Sequence, residues 1–170
     1  MFEPEITTGV IVFVLFCIAF VMQLWLYGGI FSRLAFYKKK NSTDELPPVS
    51  VIICARNDDD NLSAFLPTVL NQDYPEYEVI VVNDCSCDNT ADILREFERK
   101  DQRLKVVTVK EDEHYEHGKK FAVLVGIKGS QHEHLLFTDA DCKPNSLQWI
   151  RHMVSNYTPG TEIVLGYGGY

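Results

Sequence analysis

The sequence predicts an α/β domain with a mostly parallel, Rossmann-like sheet covered by helices on both faces, preceded by one transmembrane helix. Three observations carry this. Short apolar, largely β-branched runs alternate four times with stretches of helical periodicity from Val49 to Tyr157, the pattern of strands joined by helical crossovers. An apolar run opens the chain, from Ile6 to Ser32. One strand, Leu135 to Thr138, leads straight into two carboxylates, Asp139 and Asp141. In parallel α/β sheets, ligands sit just beyond the carboxyl ends of the strands.

Apart from Cys17 and Tyr27, the opening run carries no ionisable side chain. It exceeds the roughly 20 residues that cross a bilayer. It is too long for the apolar core of a signal peptide, and no basic segment precedes it. Residues 1–33 are therefore read as a single-pass anchor, with Trp25 and Tyr27 suited to the membrane interface. Gln23, the one amide inside the span, is expected to bond a neighbouring helix or local backbone. Glu3 and Glu5 precede the span, and Arg33, Lys38, Lys39 and Lys40 follow it. Positive charge favours the cytoplasmic side, so the rest of the chain is expected in the cytosol at the cell (inner) membrane. Residues 34–47 form a juxtamembrane linker, stiffened at its exit by Pro47-Pro48.

The composition, 46% hydrophobic and 24% charged over 170 residues, is that of one folded domain plus an appendage. A formal net charge of -8 argues against nucleic acid as a partner, since phosphate binding wants a basic footprint. An anionic ligand stays open if a metal mediates. Five unevenly spaced cysteines fit a reducing compartment better than a disulfide framework.

Within residues 48–170, Val49 to Ala55 reads as the first strand. Asn57 to Asn61 is a loop rich in helix-capping residues. Leu62, Phe65, Leu66, Val69 and Leu70 recur at helical spacing, with Pro67 predicting a kink or a late helix start. Tyr77 to Val82 is the second strand, and Ala91 to Lys100 a helix with Ile93, Leu94 and Phe97 inward. Leu104 to Val109 is the third strand, Lys110 to His117 a charged loop, and Lys119 to Lys128 an apolar helix. Leu135 to Thr138 is the fourth strand, and Ser146 to Tyr157 a helix with Leu147, Ile150 and Val154 on one face. Glu162 to Leu165 starts a fifth strand, and the chain stops soon after without a closing helix. That ending is the pattern of an incomplete domain.

Alternate residues of a strand share a face, so Asp139 and Asp141 can point into one crevice. Two carboxylates that close repel unless a cation or hydrogen bonds offset them, which makes both candidate ligands of a hard divalent cation. Capping and turn roles account for the same pair. Asp84, ending the second strand, can accept hydrogen bonds from a bound ligand. Ser86, Asp88 and Thr90 after it are expected to bond nearby backbone N–H groups. Cys85-x-Cys87 has the wrong spacing for a zinc pair, and His132-x-His134 has no evident third ligand. Lys119 follows Gly118 at a helix start, where a cation loses dipole energy. A diphosphate would compensate it, although a solvated lysine pair with Lys120 fits equally.

Taken in order, five segments resemble the N-terminal half of a family-2 glycosyltransferase with the GT-A fold. They are Val49-Ser-Val-Ile-Ile-Cys-Ala-Arg-Asn57, Leu70-Asn-Gln-Asp-Tyr-Pro75, Asp84-x-Ser86-x-Asp88-x-Thr90, Gly118-Lys119 with Ala122 and Gly126-Ile127, and Thr138-Asp-Ala-Asp-Cys142 with Pro144. The resemblance implies a nucleoside diphosphate sugar as donor, a UDP-sugar in the first instance, with Mg²⁺ or Mn²⁺. It places Ala55 and Arg56 beside the nucleotide, and Asp58 where the family often carries a glutamate. Asp84 falls on the base, Lys119 near the diphosphate, Asp139 near the ribose or metal, and Asp141 on the metal. Asn83 departs from the family, which often has an Asp-Asp pair at 83 and 84. The resemblance also implies inversion at the anomeric carbon, and a glycan or lipid-linked acceptor. It puts the catalytic base on an acidic residue downstream of Tyr170. Two other readings compete. An apolar strand followed by Asp-x-Asp also opens haloacid-dehalogenase-type phosphatases, but there it sits on the first strand. A membrane-tethered nucleotide-sugar-binding protein without catalysis would keep the same donor residues.

Overall fold

The computed structural model describes residues 4–36, 46–110, 118–158, 160–166 and 168–169. The linker lysines Lys38 to Lys40 and the charged loop 111–117, with His117, lie outside the described residues. The chain divides into two compact units, residues 1–41 and 42–170.

The first unit is helical. α1 spans Pro4–Trp25, a π-helical stretch Leu26–Phe31 continues it, and α2 is the single turn Ser32–Ala35. The Ser32 hydroxyl donates to the Gly28 carbonyl, using an acceptor where the wider π turn alters the ladder. Residues Thr8–Phe31 have a mean hydropathy of 2.6 over their most apolar window, no residue of which is buried. At about 1.5 Å per residue this stretch is long enough to cross a bilayer.

The second unit is a parallel sheet of four described strands: β1 Val49–Ala55, β2 Tyr77–Asp84, β3 Leu104–Val109 and β4 His134–Asp139. Their order is β3-β2-β1-β4, every pairing parallel. The chain steps outward from β1 through β2 to β3, then crosses back to place β4 on the other side of β1. Strand alternation sorts the core. Val49, Val51, Ile53, Val79 and Val81 pack against α3 (Asp59–Leu70), α4 (Thr90–Lys100) and α6 (Trp149–Val154). Ile80 and Val82 pack against α5 (Lys119–Gly129) on the opposite face.

α5 lies very close to the sheet, and Gly126 is the reason it can. A Cβ there would stand 2.5 Å from Ile52 Cγ2 and 3.3 Å from Val82 Cγ2. The inward face of α5 is Ala122, Val125 and Gly126, while Leu124 and Ile127 are exposed at its flank. Small residues thus set the helix–sheet distance, which the run of larger apolar residues in this helix obscures in the sequence.

Two segments of the expected pattern serve packing. In Leu70 to Pro75, the Gln72 amide donates to the carbonyls of Thr68 and Ser146 and accepts the Ile150 N–H, tying α3 to α6. The Tyr74 hydroxyl donates to the Pro47 carbonyl at 2.6 Å. In Asp84 to Thr90 one expected local bond forms, Asp88 Oδ1 accepting the Thr90 N–H at 3.0 Å, and distant partners join it. Ser86 Oγ accepts the Asn57 N–H, Thr90 Oγ1 the Asp58 N–H, and Asp88 Oδ2 the Asp59 N–H. Asn57, in the left-handed region at φ 55° that asparagine tolerates, accepts the Cys87 N–H in return at 2.8 Å. The loop after β1 is thereby stitched to the loop after β2. Thr90, first through its hydroxyl, and then the backbone N–H groups of Thr90 and Asp59 hold the Asp88 carboxyl below its usual range. Its support is complete above the unfolded carboxylate pKa and fades as pH falls through the lowered folded value.

Three expectations change. α3 begins at Asp59 and runs through Pro67 to Leu70, so there is no late start; the packing of Leu62, Leu66 and Val69 outweighs the lost hydrogen bond. The last helix is shorter than predicted, and Leu147 is 55% exposed, because its carbonyl receives the Asp73 N–H at the preceding turn. Residues 162–165 form no strand; they pair with no described strand, and Ile163 and Leu165 stay 77% and 90% exposed. β4 is an edge strand of the described sheet, and Phe137 on it is half exposed.

Two measurements check this account. Gly126→Ala should lower the free energy of unfolding in urea by about 1–2 kcal/mol, the cost of overpacking less the gain in helix propensity; an unchanged midpoint would contradict the close approach. Thr90→Val keeps shape but strands the Asp58 N–H, and should cost about 1–2 kcal/mol in the same assay.

Candidate functional site

The strand order puts a topological switch point between β1 and β4, where the crossovers leave in opposite directions. Such points open a crevice at the carboxyl ends of the strands. One is present here, an open cleft of about 310 Å³. β1 contributes Cys54 and Ala55, and the loop after it Arg56 and Asp58. β2 contributes Asp84, and β4 with its following turn Asp139, Ala140 and Asp141. The start of α5 contributes Gly118, Lys119 and Ala122. All seven residues singled out in the sequence (Ala55, Arg56, Asp58, Asp84, Lys119, Asp139 and Asp141) therefore line one cavity.

Their environments differ. Asp84 is buried, at 4% exposure, and Ala55 is equally enclosed. Asp58 stands at the N-cap position of α3 without a side-chain bond to the helix backbone; its carboxylate accepts the Arg56 N–H at 3.2 Å and the Asn61 side-chain amide at 3.1 Å. Arg56 is exposed at the rim. Asn83 faces away from the cleft and accepts the Ser86 N–H at 3.2 Å, so the departure from an Asp-Asp pair falls on loop support and not on the cavity wall.

The acidic wall lies at the mouth. Lys119 Nζ stands 2.7 Å from Asp139 Oδ1, and the hydrogen bond to Asp139 raises the Lys119 pKa above its ordinary value. Donor atoms of Asp139, Asp141 and Cys142 lie within 4.8 Å of one another, all three residues exposed. The Cys142 thiol donates to Asp141 Oδ1 at 3.6 Å, and desolvation first, then the Asp141 charge, pushes its pKa up. Burial does the same to the Cys54 thiol. Both stay protonated near neutral pH, which leaves the carboxylates as the available charged donors.

Hard oxygen donors of this kind suit Mg²⁺ or Mn²⁺. The charge balance points the same way. Four carboxylates, Asp58, Asp84, Asp139 and Asp141, face two cations, Arg56 and Lys119. A lining with that excess of negative charge repels a bare diphosphate and accepts one bridged by a divalent cation. The ammonium on Asp139 shows that a positive charge already fits the position.

Sequence reasoning did not single out Cys54, Ala122 or Ala140 as lining residues, nor Cys142 as a neighbouring donor. Cys54 and Ala55 alternate across β1 yet both reach the cleft because the strand ends there. Small side chains at 122 and 140 make room and carry no chemical signature.

Comparison with known proteins bears on what such a cleft belongs to. The pattern of glycosyl transferase family 2 matches residues 50–167. Among relatives, a poly-beta-1,6-N-acetyl-D-glucosamine synthase from Staphylococcus epidermidis is 33% identical over 138 residues, covering 76% of this chain and 32% of that protein. Glycosyltransferase AglE from Haloferax volcanii is 38% identical over 127 residues, covering 73% and 40%. The chain thus spans about a third to two fifths of the length of these relatives. Of solved structures, S. aureus TarS superposes with a TM-score of 0.54 at 30% identity, over 62% of this chain and 30% of its own. The mannosyltransferase PcManGT from Pyrobaculum calidifontis, solved with GDP-Man and Mn²⁺, gives 0.61 at 23% identity over 78% and 41%, a likeness of fold. With its parallel sheet, its switch-point cleft and a family match from the first strand to the end of the described core, the chain belongs to glycosyl transferase family 2.

Proposed function

We propose that the chain carries the donor-binding part of a membrane-anchored, metal-dependent, inverting glycosyltransferase. Its donor is a nucleoside diphosphate sugar, a UDP-sugar in the first instance, and its acceptor a glycan or lipid-linked glycan. The observation that carries this reading is the convergence of Asp84, Lys119, Asp139 and Asp141 on one cleft at the switch point.

In this reading the buried end of the cleft takes the nucleoside. Asp84 accepts hydrogen bonds from the base, in a pocket walled by Ala55 and the stitched loop of Arg56 to Asp58. Burial of Asp84 strengthens such bonds, because water competes less for its oxygens. Lys119 and Arg56 face the diphosphate. Asp139 and Asp141 hold Mg²⁺ or Mn²⁺ at the open end. The cation, when bound, neutralises charge that develops on the departing diphosphate. The protein's own share is orientation: the sheet rim fixes the donor, and the open side of the cleft leaves the anomeric carbon reachable by an acceptor hydroxyl from the face opposite the diphosphate.

Residues 1–33 act as the anchor, 34–47 as a linker and 48–170 as the nucleotide-sugar-binding domain, facing the cytosol. The apolar length of Thr8–Phe31 and the basic flank after it support that orientation. An anchor of this kind keeps the cleft near a membrane surface, which suits a lipid-linked or exported glycan.

Calorimetry on the full chain in detergent should show a UDP-sugar binding with Mg²⁺ or Mn²⁺ and not in chelator, and Asp141→Asn should weaken it at least tenfold. Equal affinity in chelator would refute the metal role. For orientation, a cysteine placed at Asn41 should react with an impermeant maleimide only after cells are opened. Labelling of intact cells would reverse the topology.

A further inference from the structure

Lys119 and the cation site share a carboxylate. The Lys119 ammonium occupies Asp139 Oδ1 at 2.7 Å, with the two side chains 69% and 53% exposed. Pairs so exposed are screened by water and salt and open at little cost. A divalent cation approaching Asp139 meets that ammonium, and two positive charges within a few ångström of one oxygen repel. Lys119 has somewhere to go: it is the first residue of α5, on a flexible four-carbon stem, and it lines the same cavity as Arg56 and Asp84.

We propose that Lys119 and the divalent cation exchange places on Asp139. The arriving cation takes the carboxylate, and the released ammonium turns to the diphosphate of the nucleotide. Cation and nucleotide then bind more cooperatively than direct chelation alone would make them, because the diphosphate also takes up the ammonium that the cation sets free. Without a nucleotide, the ammonium competes with the cation and keeps its affinity low. The inference rests on the donor-site reading above and adds to it a linkage between the two ligands, which must be reciprocal.

The test measures Mn²⁺ binding to the full chain in detergent by the electron paramagnetic resonance of free Mn²⁺, with and without UDP. Lys119→Met should bind Mn²⁺ alone at least threefold more tightly than the native chain, and UDP should tighten Mn²⁺ at least threefold less in the variant than in the native chain. Lys119→Arg, which keeps the charge and a carboxylate-bonding head, should restore most of that coupling. Lys120→Met removes the same charge one residue away, from a side chain outside the cleft lining, and should shift Mn²⁺ affinity by less than half as much on a logarithmic scale. Equal or weaker Mn²⁺ binding by Lys119→Met overturns the exchange. So does an equal shift in Lys120→Met, which would reduce the effect to general electrostatics, and so does unchanged UDP coupling in Lys119→Met. A native chain that binds no Mn²⁺ even with UDP would instead overturn the donor-site reading, and the exchange with it.

Discussion

β1 is bonded along its length on both sides. It pairs with β2 from Val49 opposite Tyr77 to Ala55 opposite Asn83, and with β4 from Val49 opposite His134 to Cys54 opposite Asp139. A parallel strand held that way has little freedom to slide, because a one-residue slip would turn every buried valine and isoleucine to the wrong face. Since the neighbours are parallel, their carboxyl ends all fall on one rim. The register therefore fixes more than the core. Cys54 lies opposite Asp139, and Asn83 opposite Ala55 brings Asp84 one residue beyond the end of the β1 ladder. Groups 85 residues apart in sequence become walls of one cavity without any loop having to carry them there.

The two walls are built differently, and the difference matches what each has to do. The wall formed by the loop after β1 makes little hydrophobic contact of its own, yet it is bonded through three consecutive backbone N–H groups to Ser86, Thr90 and Asp88. Each bond is modest, but together they remove the loop's freedom before a ligand arrives, so the cost of ordering it is met on folding and not on binding. The acidic wall has no such lattice. Asp139, Asp141 and Cys142 are exposed, and the ion pair of Lys119 with Asp139 is one that water screens. If the proposed cation site is correct, that looseness favours exchange, because a buried, fully bonded carboxylate would lose much on giving up any partner. Glu78 shows the contrast at the far end of the sheet. It is buried and accepts the Ser50 hydroxyl and the Gln131 N–H, both at 2.6 Å, a carboxylate held by structural partners.

The sequence made the strands and most helices legible because their signal is periodic and local. β1 and β2 announce themselves through runs rich in β-branched residues, and Asp84 and Asp139 stand out because they end strands. What stayed hidden depends on distance. Nothing local says that Ser86, Asp88 and Thr90 bond a loop some 30 residues upstream; the same side chains cap helices elsewhere, and capping was the natural reading. Gly126 looks like a weak point in a helix until Ile52 is seen 2.5 Å from where its Cβ would be. The stretch 162–165 has strand composition, but composition does not supply a partner, and an extended segment without a ladder is no strand. Leu147 fits the helical period and still lies outside the helix, since the turn before α6 is set by Gln72 and Asp73 from another part of the chain.

The excess of negative charge in the cleft bears on selectivity as well as on affinity. A basic cleft would attract every phosphate-bearing molecule, free nucleotides and inorganic phosphate among them. A lining of four carboxylates against two cations disfavours a bare anion, and in the proposed reading it takes one that a divalent cation accompanies. Chelation of such a cation by two adjacent phosphates is much stronger than by one, so the requirement favours diphosphates over monophosphates without any residue that counts phosphates. Asn83 fits this logic. It supplies the acceptor that the Ser86 N–H needs while sparing the interior a second buried charge next to Asp84, whose desolvation would have to be offset. In the proposed donor site, that acidity favours phosphate compounds that bring a divalent cation as their own bridge.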